Sequence, residues 1–323
     1  MPSPKSTGEF ELIRKYFTRP VKRAALGVGD DCALFAPGPG MQLAVSSDML
    51  VEGRHFLSTV LPERLGHKAL AVNLSDLAAC GARPVAFTLA LALPRADEVF
   101  LAGFSRGLLA LADAHGCELI GGDTTQGPLN ICITVFGELP TGSALLRSGA
   151  QVGDDVYVSG TVGDARLALE VFRGTQKVDG CDFETLRLAM ECPQPRVALG
   201  LALRGVASSA IDVSDGLLGD FQHILRRSGV GATLNVDAVP RSAVLRQLPL
   251  AAQREFTLAG GDDYELVFTA APERAAQVQA AAKQARTVVT RIGQTHASLD
   301  LNLTDAQGRT VPATFGSFDH FRT

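Results

Sequence analysis

The chain has 323 residues, enough for two domains of ordinary size, and its 46% hydrophobic content suits a globular protein with a real core. A formal net charge of −4 and the lack of any Lys/Arg run argue against nucleic acid or an anionic membrane as partner. No apolar run approaches the roughly 18 residues of a membrane span, the N-terminus has no apolar signal core, and the six cysteines form no Cys-x-x-Cys pair, as expected of reduced core thiols in a cytoplasmic protein.

Thr7 predicts the cap of a first helix with Phe10, Ile13 and Phe17 on one face, ended by Arg19-Pro20. Gly27-Val28-Gly29-Asp30-Asp31 is a turn. Leu43, Ala44 and Val45 begin a buried strand, and Ser46-Ser47-Asp48 at its mouth offer the hard oxygens that Mg²⁺ prefers. A helix starts at Pro62 and stops at Gly81, with Asn73 and Asp76 on one face. Val85 to Leu93 is a strand buried on both faces. A second helix runs from about Asp97 to His115, and Gly116 ends it. Cys117 to Ile120 is a strand that stops at Gly121-Gly122-Asp123-Thr124-Thr125, and Leu129 to Phe136 is another.

Near Gly142 the pattern loosens and Ser148 to Gly153 reads as a connection, so the domains are expected at 1–147 and 148–323. Val156-Tyr157-Val158 opens a second α/β series. Two helices follow, broken by Pro193 and Pro195. Ala210 to Val213 is a strand ending at Ser214-Asp215-Gly216, and a helix runs on to about Arg227. Tyr264 to Thr269 is a strand after Gly260-Gly261-Asp262-Asp263. A helix from Pro272, short strands and an aromatic tail complete the chain. Ser47-Asp48-Met49-Leu50 and Ser214-Asp215-Gly216-Leu217 form a short internal echo, each after an apolar strand.

Acidic residues recur at predicted strand ends or in glycine turns, where open α/β sheets bind ligands. Packed together they repel by several kcal/mol and need cations to coexist. No His/Cys ligand spacing favours zinc. There is no Gly-Lys-Ser/Thr, no Gly-x-Gly-x-x-Gly and no protein-kinase motif set. ATP, if bound, is held through carboxylates and metals.

Gly27 to Asp31, Ser46 to Phe56 (which includes Glu52-Gly53-Arg54-His55-Phe56), Asn73-Leu74-Ser75-Asp76, Gly121 to Thr124, Asp212 to Gly216 and Gly261 to Leu266 occur in order along nearly the whole chain. Together they resemble the thiamine-monophosphate kinases, of the aminoimidazole ribonucleotide synthetase and selenophosphate synthetase superfamily. The resemblance implies two mixed-sheet α/β domains, the N-terminal one binding ATP and Mg²⁺ and pairing through its sheet in a homodimer, the C-terminal one completing the site. It implies ATP-dependent conversion of thiamine monophosphate to thiamine diphosphate. Matched by motif, Asp30, Ser46, Ser47, Asp48, Asp76, Asp123, Asp212 and Asp215 would hold several Mg²⁺. Gly122, Asp123, Arg147 and Ser214 would contact ATP, and His55, Asp262 and Phe318 the thiamine phosphate.

The sequence departs from the family pattern at Ser47, where Thr is usual, and at Asp262, where Glu is usual and would reach further. Phe318 replaces a larger aromatic but still offers a face to a cationic thiazolium. The tyrosine that the family often uses as a nucleotide contact corresponds to the neighbourhood of Ser105, beside Phe104, and carries no assignment. The six aspartates, with roughly six phosphate charges from the two substrates, require cations. Because the acceptor is already an anionic oxygen, no general base is implied; alignment and charge neutralisation would suffice. The alternatives are another ATP-dependent enzyme of the superfamily acting on a different phosphorylated substrate, or a non-catalytic Mg²⁺- or Ca²⁺-binding protein.

Overall fold

The computed structural model describes residues 8–312 and Gly316. Two compact units make up the chain: one holds the residues up to Leu77 and Arg83–Thr141, the other Ala78–Ala82 and the chain from Gly142 onward.

The first unit contains α1 (Glu9–Tyr16), β1 (Met41–Val51), α2 (Pro62–Ala79), β2 (Arg83–Leu93), α3 (Glu98–His115), β3 (Glu118–Gln126) and β4 (Asn130–Pro140). Its described strands form a sheet in the order β1-β4-β2-β3, antiparallel except where α3 returns the chain to set β3 parallel to β2. One face of this sheet, with Phe87, Leu89, Leu91, Ile131, Ile133 and Val135, is fully buried. Near the start of β2 a small cluster of Ala24, Ala86 and Ile120, packed with Val21, Phe35 and Phe136, closes the other face. Along β1 that other face is open: Val45 is 58% and Met49 52% exposed. The caps of α3 fall where the spacing predicts, with Asp97 accepting from Val99 and Phe100 N–H and Gly116 left-handed at φ 61°.

Three expectations are corrected in this unit. Ser46-Ser47-Asp48 lies inside β1, not at its mouth. Here polar residues pair with polar residues of α2, a long-range match that local hydrophobicity does not register. The strand after Cys117 does not stop at Gly121 but runs to Gln126. A bulge at Ile120, between the pairs Phe87–Leu119 and Thr88–Gly121, carries it through the two glycines. In α1, Leu12 is buried while Phe10 is 77% exposed. The ion pair Arg19–Asp113 and the contact of Lys15 with Glu98 tie this N-terminal segment to α3 in that orientation.

The second unit contains β5 (Asp155–Ser159), α4 (Asp164–Phe172), α5 (Gly180–Glu191), α6 (Val197–Leu203), β6 (Ser209–Asp212), α7 (Leu217–Ser228), β7 (Gly231–Asn235), α8 (Leu250–Ala259), β8 (Leu266–Ala270), α9 (Ala275–Gln284), β9 (Val289–His296) and β10 (Leu301–Thr304). Its described strands run β10-β7-β9-β5-β8-β6, antiparallel except for β10 beside β7. The main core gathers Val156, Ile211, Phe221, Ile224, Leu234 and Val267. A smaller one joins α4, α5 and α8 through Leu167, Leu186 and Phe256. Three helices, not two, separate β5 from β6, because the Pro193–Pro195 break starts α6 instead of ending the helical run. β7 and α8 had no forecast in the sequence.

Candidate active site

In the first unit a seam between β1 and α2 brings polar groups together. Ser46 Oγ donates to Asp76 Oδ2 at 2.5 Å, and Asp48 N–H donates to Asn73 Oδ1 at 3.1 Å. Strand alternation puts Ser46 and Asp48 on one face of β1, and the i, i+3 spacing puts Asn73 and Asp76 on one face of α2. Ser47 alternates to the other face. Its hydroxyl lies on the face opposite Ser46 and Asp48, 3.0 Å from Thr134 Oγ1 and 3.2 Å from the Ile133 carbonyl.

Asp123 is also set apart. The register runs Asp48–Ile133–Leu89–Gly122, from one edge strand to the other, which is three inter-strand steps or roughly 14 Å. Asp123 pairs with Ala90, on the face of Cys132 and Met49, whereas Asp48 shares the face of Ile133 and Leu89. Asp48 and Asp123 of one chain therefore stand on opposite edges and opposite faces of the sheet. Consistently, among the described residues no group of three or more His, Cys, Asp or Glu stands close enough to hold a metal. The donors of the β1–α2 seam are all hard oxygens and still suit Mg²⁺, which typically takes one or two carboxylates and completes its shell with water and substrate phosphates.

Gly122, an expected nucleotide contact, has a backbone reason to be glycine. Its φ is +147°, and a Cβ there would lie 1.9 Å from the Leu89 carbonyl oxygen. Asp30 is exposed on the 22–38 segment, and its Oδ1 accepts from the Asp31 amide at 2.9 Å. That segment is strapped down by buried Glu138, which takes the Gly38 amide at 2.9 Å and contacts Arg23, and by Glu118, which takes the amides of Lys22 and Arg23. Burial works to raise the Glu138 carboxyl, but the Gly38 amide and Arg23 hold it below its ordinary range. His55 follows β1, and its Nδ1 accepts from Val51 N–H at 3.0 Å. The ring is thereby held as the Nε2–H tautomer, a hydrogen-bond donor at that atom. Beside it, a cleft of about 390 Å³ is lined by Phe56, Leu57, Val60, Phe100 and Leu129, with Glu52 and Asp97 among its polar residues.

In the second unit two loops are stitched together at the ends of β6 and β8. Asp262 N–H donates to the Ser214 carbonyl and Tyr264 N–H to the Val213 carbonyl, both at 2.8 Å. Asp212 is buried at the end of β6, Ser214 is half-buried, and Asp215 is exposed. Asp262 and Tyr264 adopt left-handed φ values of 71° and 53°, strained for residues other than glycine. Beneath them Glu265 is buried, clamped by Arg196 and accepting from Ser159 Oγ at 2.5 Å. Asp263 takes the Gly163 amide on both carboxyl oxygens, at 2.9 and 3.0 Å; burial pushes its carboxyl well above the usual range. Buried Asp220 takes the amides of Ser214 and Asp215 at 2.9 and 3.0 Å, and burial pushes it up to about 7.

Arg196 and Asp220 go unremarked in the sequence, and Asp263 and Glu265, though within the Gly261–Leu266 motif, carry no role there, because each acts on backbone or on another side chain. The available signal was only acidic residues placed just after a loop that already carries others. Arg147 is exposed, and its carbonyl accepts from Ser228 Oγ at 3.3 Å. Phe318 lies outside the described residues.

Residues 29–139 match the AIR synthase related protein N-terminal domain, and residues 151–305 match the C-terminal domain of the same class. The two mixed-sheet units thus define an AIR synthase related fold. Thiamine-monophosphate kinase of Salmonella typhimurium is 45% identical to the chain, covering 98% of it and 99% of the relative. The crystal structure of thiamine-monophosphate kinase from Stenotrophomonas maltophilia is also 45% identical, with a TM-score of 0.83 over 90% of this chain and 92% of that one. AaThiL, solved in complex with AMPPCP and TMP, is 29% identical, with a TM-score of 0.77 over 88% and 89% of the two chains. The chain belongs to the thiamine-monophosphate kinase family.

Proposed function

We propose that this chain transfers the terminal phosphoryl group of ATP to the phosphate of thiamine monophosphate, giving thiamine diphosphate and ADP. The full-length 45% identity to thiamine-monophosphate kinase carries this reading. The AMPPCP and TMP complex of AaThiL supports the same pair of substrates, since AMPPCP is an analogue of ATP. Asp30, Ser46, Ser47, Asp48, Asp76, Asp123, Asp212 and Asp215 are the residues proposed to hold Mg²⁺, Ser47 from the sheet face that also carries Asp123. When bound, Mg²⁺ supplies charge neutralisation between two polyanions and alignment of the attacking and leaving oxygens.

The protein's own contribution is placement. Gly122, Asp123, Arg147 and Ser214 receive ATP, Arg147 as a cationic fork for phosphate. His55, Asp262 and Phe318 receive the thiamine phosphate. His55 acts there as a hydrogen-bond donor rather than a base, in keeping with its Nδ1 already accepting from Val51. We further propose a division of labour in which residues 1–147 bind ATP and Mg²⁺ and dimerise, while residues 148–323 complete the site. The open apolar row Leu43, Val45 and Met49 on β1 supports pairing of two such sheets, and a monomeric mass by light scattering would overturn it. A cytoplasmic location is proposed from the free cysteines and from the lack, among the described residues, of any helix able to cross a membrane.

Acceptor choice tests the function. An alcohol needs a positioned base to become a nucleophile, whereas a monophosphate brings its own anionic oxygen. With ATP and Mg²⁺, the purified protein is expected to convert thiamine monophosphate and to leave free thiamine almost untouched. Chromatography showing equal phosphorylation of both would overturn the mechanism.

A further inference from the structure

Helix α7 begins at Leu217 with Gly216 as its N-cap residue, so no side chain at the cap satisfies the amides ahead of it. Free amides at such a place are a ready anion site, the device by which glycine-rich loops bind phosphate directly. Here they are turned the other way. Asp220, 4% exposed in the first turn of α7, accepts from Ser214 N–H at 2.9 Å and Asp215 N–H at 3.0 Å. The carbonyls of Val213 and Ser214 are also taken, by Tyr264 and Asp262 N–H at 2.8 Å. The backbone of the loop is thus engaged inward on both its donor and acceptor sides.

We propose that Asp220 is a positioning residue that withdraws the amides of residues 214–215 from phosphate and makes this turn present oxygen to cations, so that it meets the nucleotide through Mg²⁺ and the Ser214 hydroxyl. The proposal rests on the reading that Ser214 and Asp215 serve Mg²⁺-ATP. A merely structural capping role would stabilise the helix without changing how strongly nucleotide binding depends on the metal.

Two measurements decide it. Calorimetric titration with AMPPCP, in excess Mg²⁺ and again in EDTA, gives the metal dependence as the ratio of the two Kd values. Asp220→Ala frees two amides, each able to supply a hydrogen bond to phosphate worth about tenfold. The ratio should therefore shrink by about tenfold or more relative to wild type. Asp220→Asn keeps an acceptor oxygen and should stay within about threefold of the wild-type ratio. An Asp220→Ala ratio equal to wild type overturns the proposal, even if its Tm falls.

Should Asp220→Ala not fold, amide hydrogen exchange of the wild-type peptide around 213–218 gives an independent answer. Slow exchange in the ligand-free protein, with no further slowing by Mg²⁺-AMPPCP, supports the inward amides. Fast exchange, or new protection by the nucleotide, overturns them. If Mg²⁺-AMPPCP does not bind wild type at all, the nucleotide reading fails while the exchange data still judge the role of Asp220.

Discussion

Gly122→Ala separates a ligand contact from a backbone requirement. The added methyl carbon would stand 1.9 Å from the Leu89 carbonyl oxygen, against an ordinary contact near 3.5 Å. Backbone on both strands surrounds the site, so β3 must move away from β2 by more than about 1 Å, an overpacking cost of about 1–3 kcal/mol. The φ of +147° adds strain of about 1–3 kcal/mol for a residue with a Cβ. Together the expected loss is about 2–6 kcal/mol, from a position exposed at the sheet edge where most substitutions stay within about 0.5 kcal/mol. Gly116→Ala is the internal control: its φ is +61°, but nothing lies within 4 Å of the new carbon, so only about 1 kcal/mol is expected. Urea unfolding of the metal-free proteins, with midpoints compared at constant slope, measures both. If Gly122→Ala unfolds like wild type, the steric argument is wrong, and any loss of ATP affinity belongs to direct contact. If it unfolds as expected, a kinetic defect in that variant says nothing about contact with the nucleotide.

Asp48→Asn and Asp123→Asn should each abolish nearly all turnover. Because these groups stand on opposite edges of the sheet and no described acidic cluster crowds them, Tm without Mg²⁺ should move little for either; wild-type turnover in either variant removes that residue from the site. Asp263→Asn tests a half-buried carboxyl whose folded pKa is raised by desolvation. A raised acid is favoured protonated in the folded state, so its stabilising share is present at low pH and is lost as pH rises from the ordinary carboxylate range through the folded value. The stability of Asp263→Asn relative to wild type should therefore improve between pH 5 and 8 in metal-free urea titrations; a variant that instead loses ground to wild type as pH rises reverses the sign and refutes the assignment.

What was legible in the sequence was whatever local chemistry dictates. Asp97 and Gly116 bound α3 because a side-chain oxygen and a left-handed glycine satisfy the helix ends, and both facts sit within a few residues. The motif residues of the site were legible for the same reason, as short polar strings. Contacts between distant strings were not. Nothing near Ser46 announces that Asp76 will take its hydroxyl, so the polar run was read as a strand end. Gly121-Gly122 looked like a stop because glycine weakens strands, yet a bulge opposite Phe87 and Thr88 uses both glycines to continue. The alternation of β1 did contain the separation of Ser47 from Ser46 and Asp48. It stays hidden as long as the three residues are placed at the mouth of the strand and not within it.

The residues the sequence left unremarked in the second unit explain why its strained loop persists. Left-handed backbone at Asp262 and Tyr264 costs roughly 1–3 kcal/mol apiece and survives only where the surroundings over-determine it. Here they do. The amides of these two residues are held by the Ser214 and Val213 carbonyls, Asp263 between them is fixed on the Gly163 amide, and Glu265 is fixed by Arg196 and Ser159. Each of these is a hydrogen bond within the protein itself, several of them charge-assisted and worth about 1.5–3 kcal/mol, enough together to offset the strain. The loop bearing Asp262 is therefore held by bonds of the protein's own, and so is the turn bearing Ser214 and Asp215, since the two share those backbone bonds. For a transfer that relies on alignment rather than on a base, such preorganisation matters because it leaves less ordering to be done at the moment of reaction.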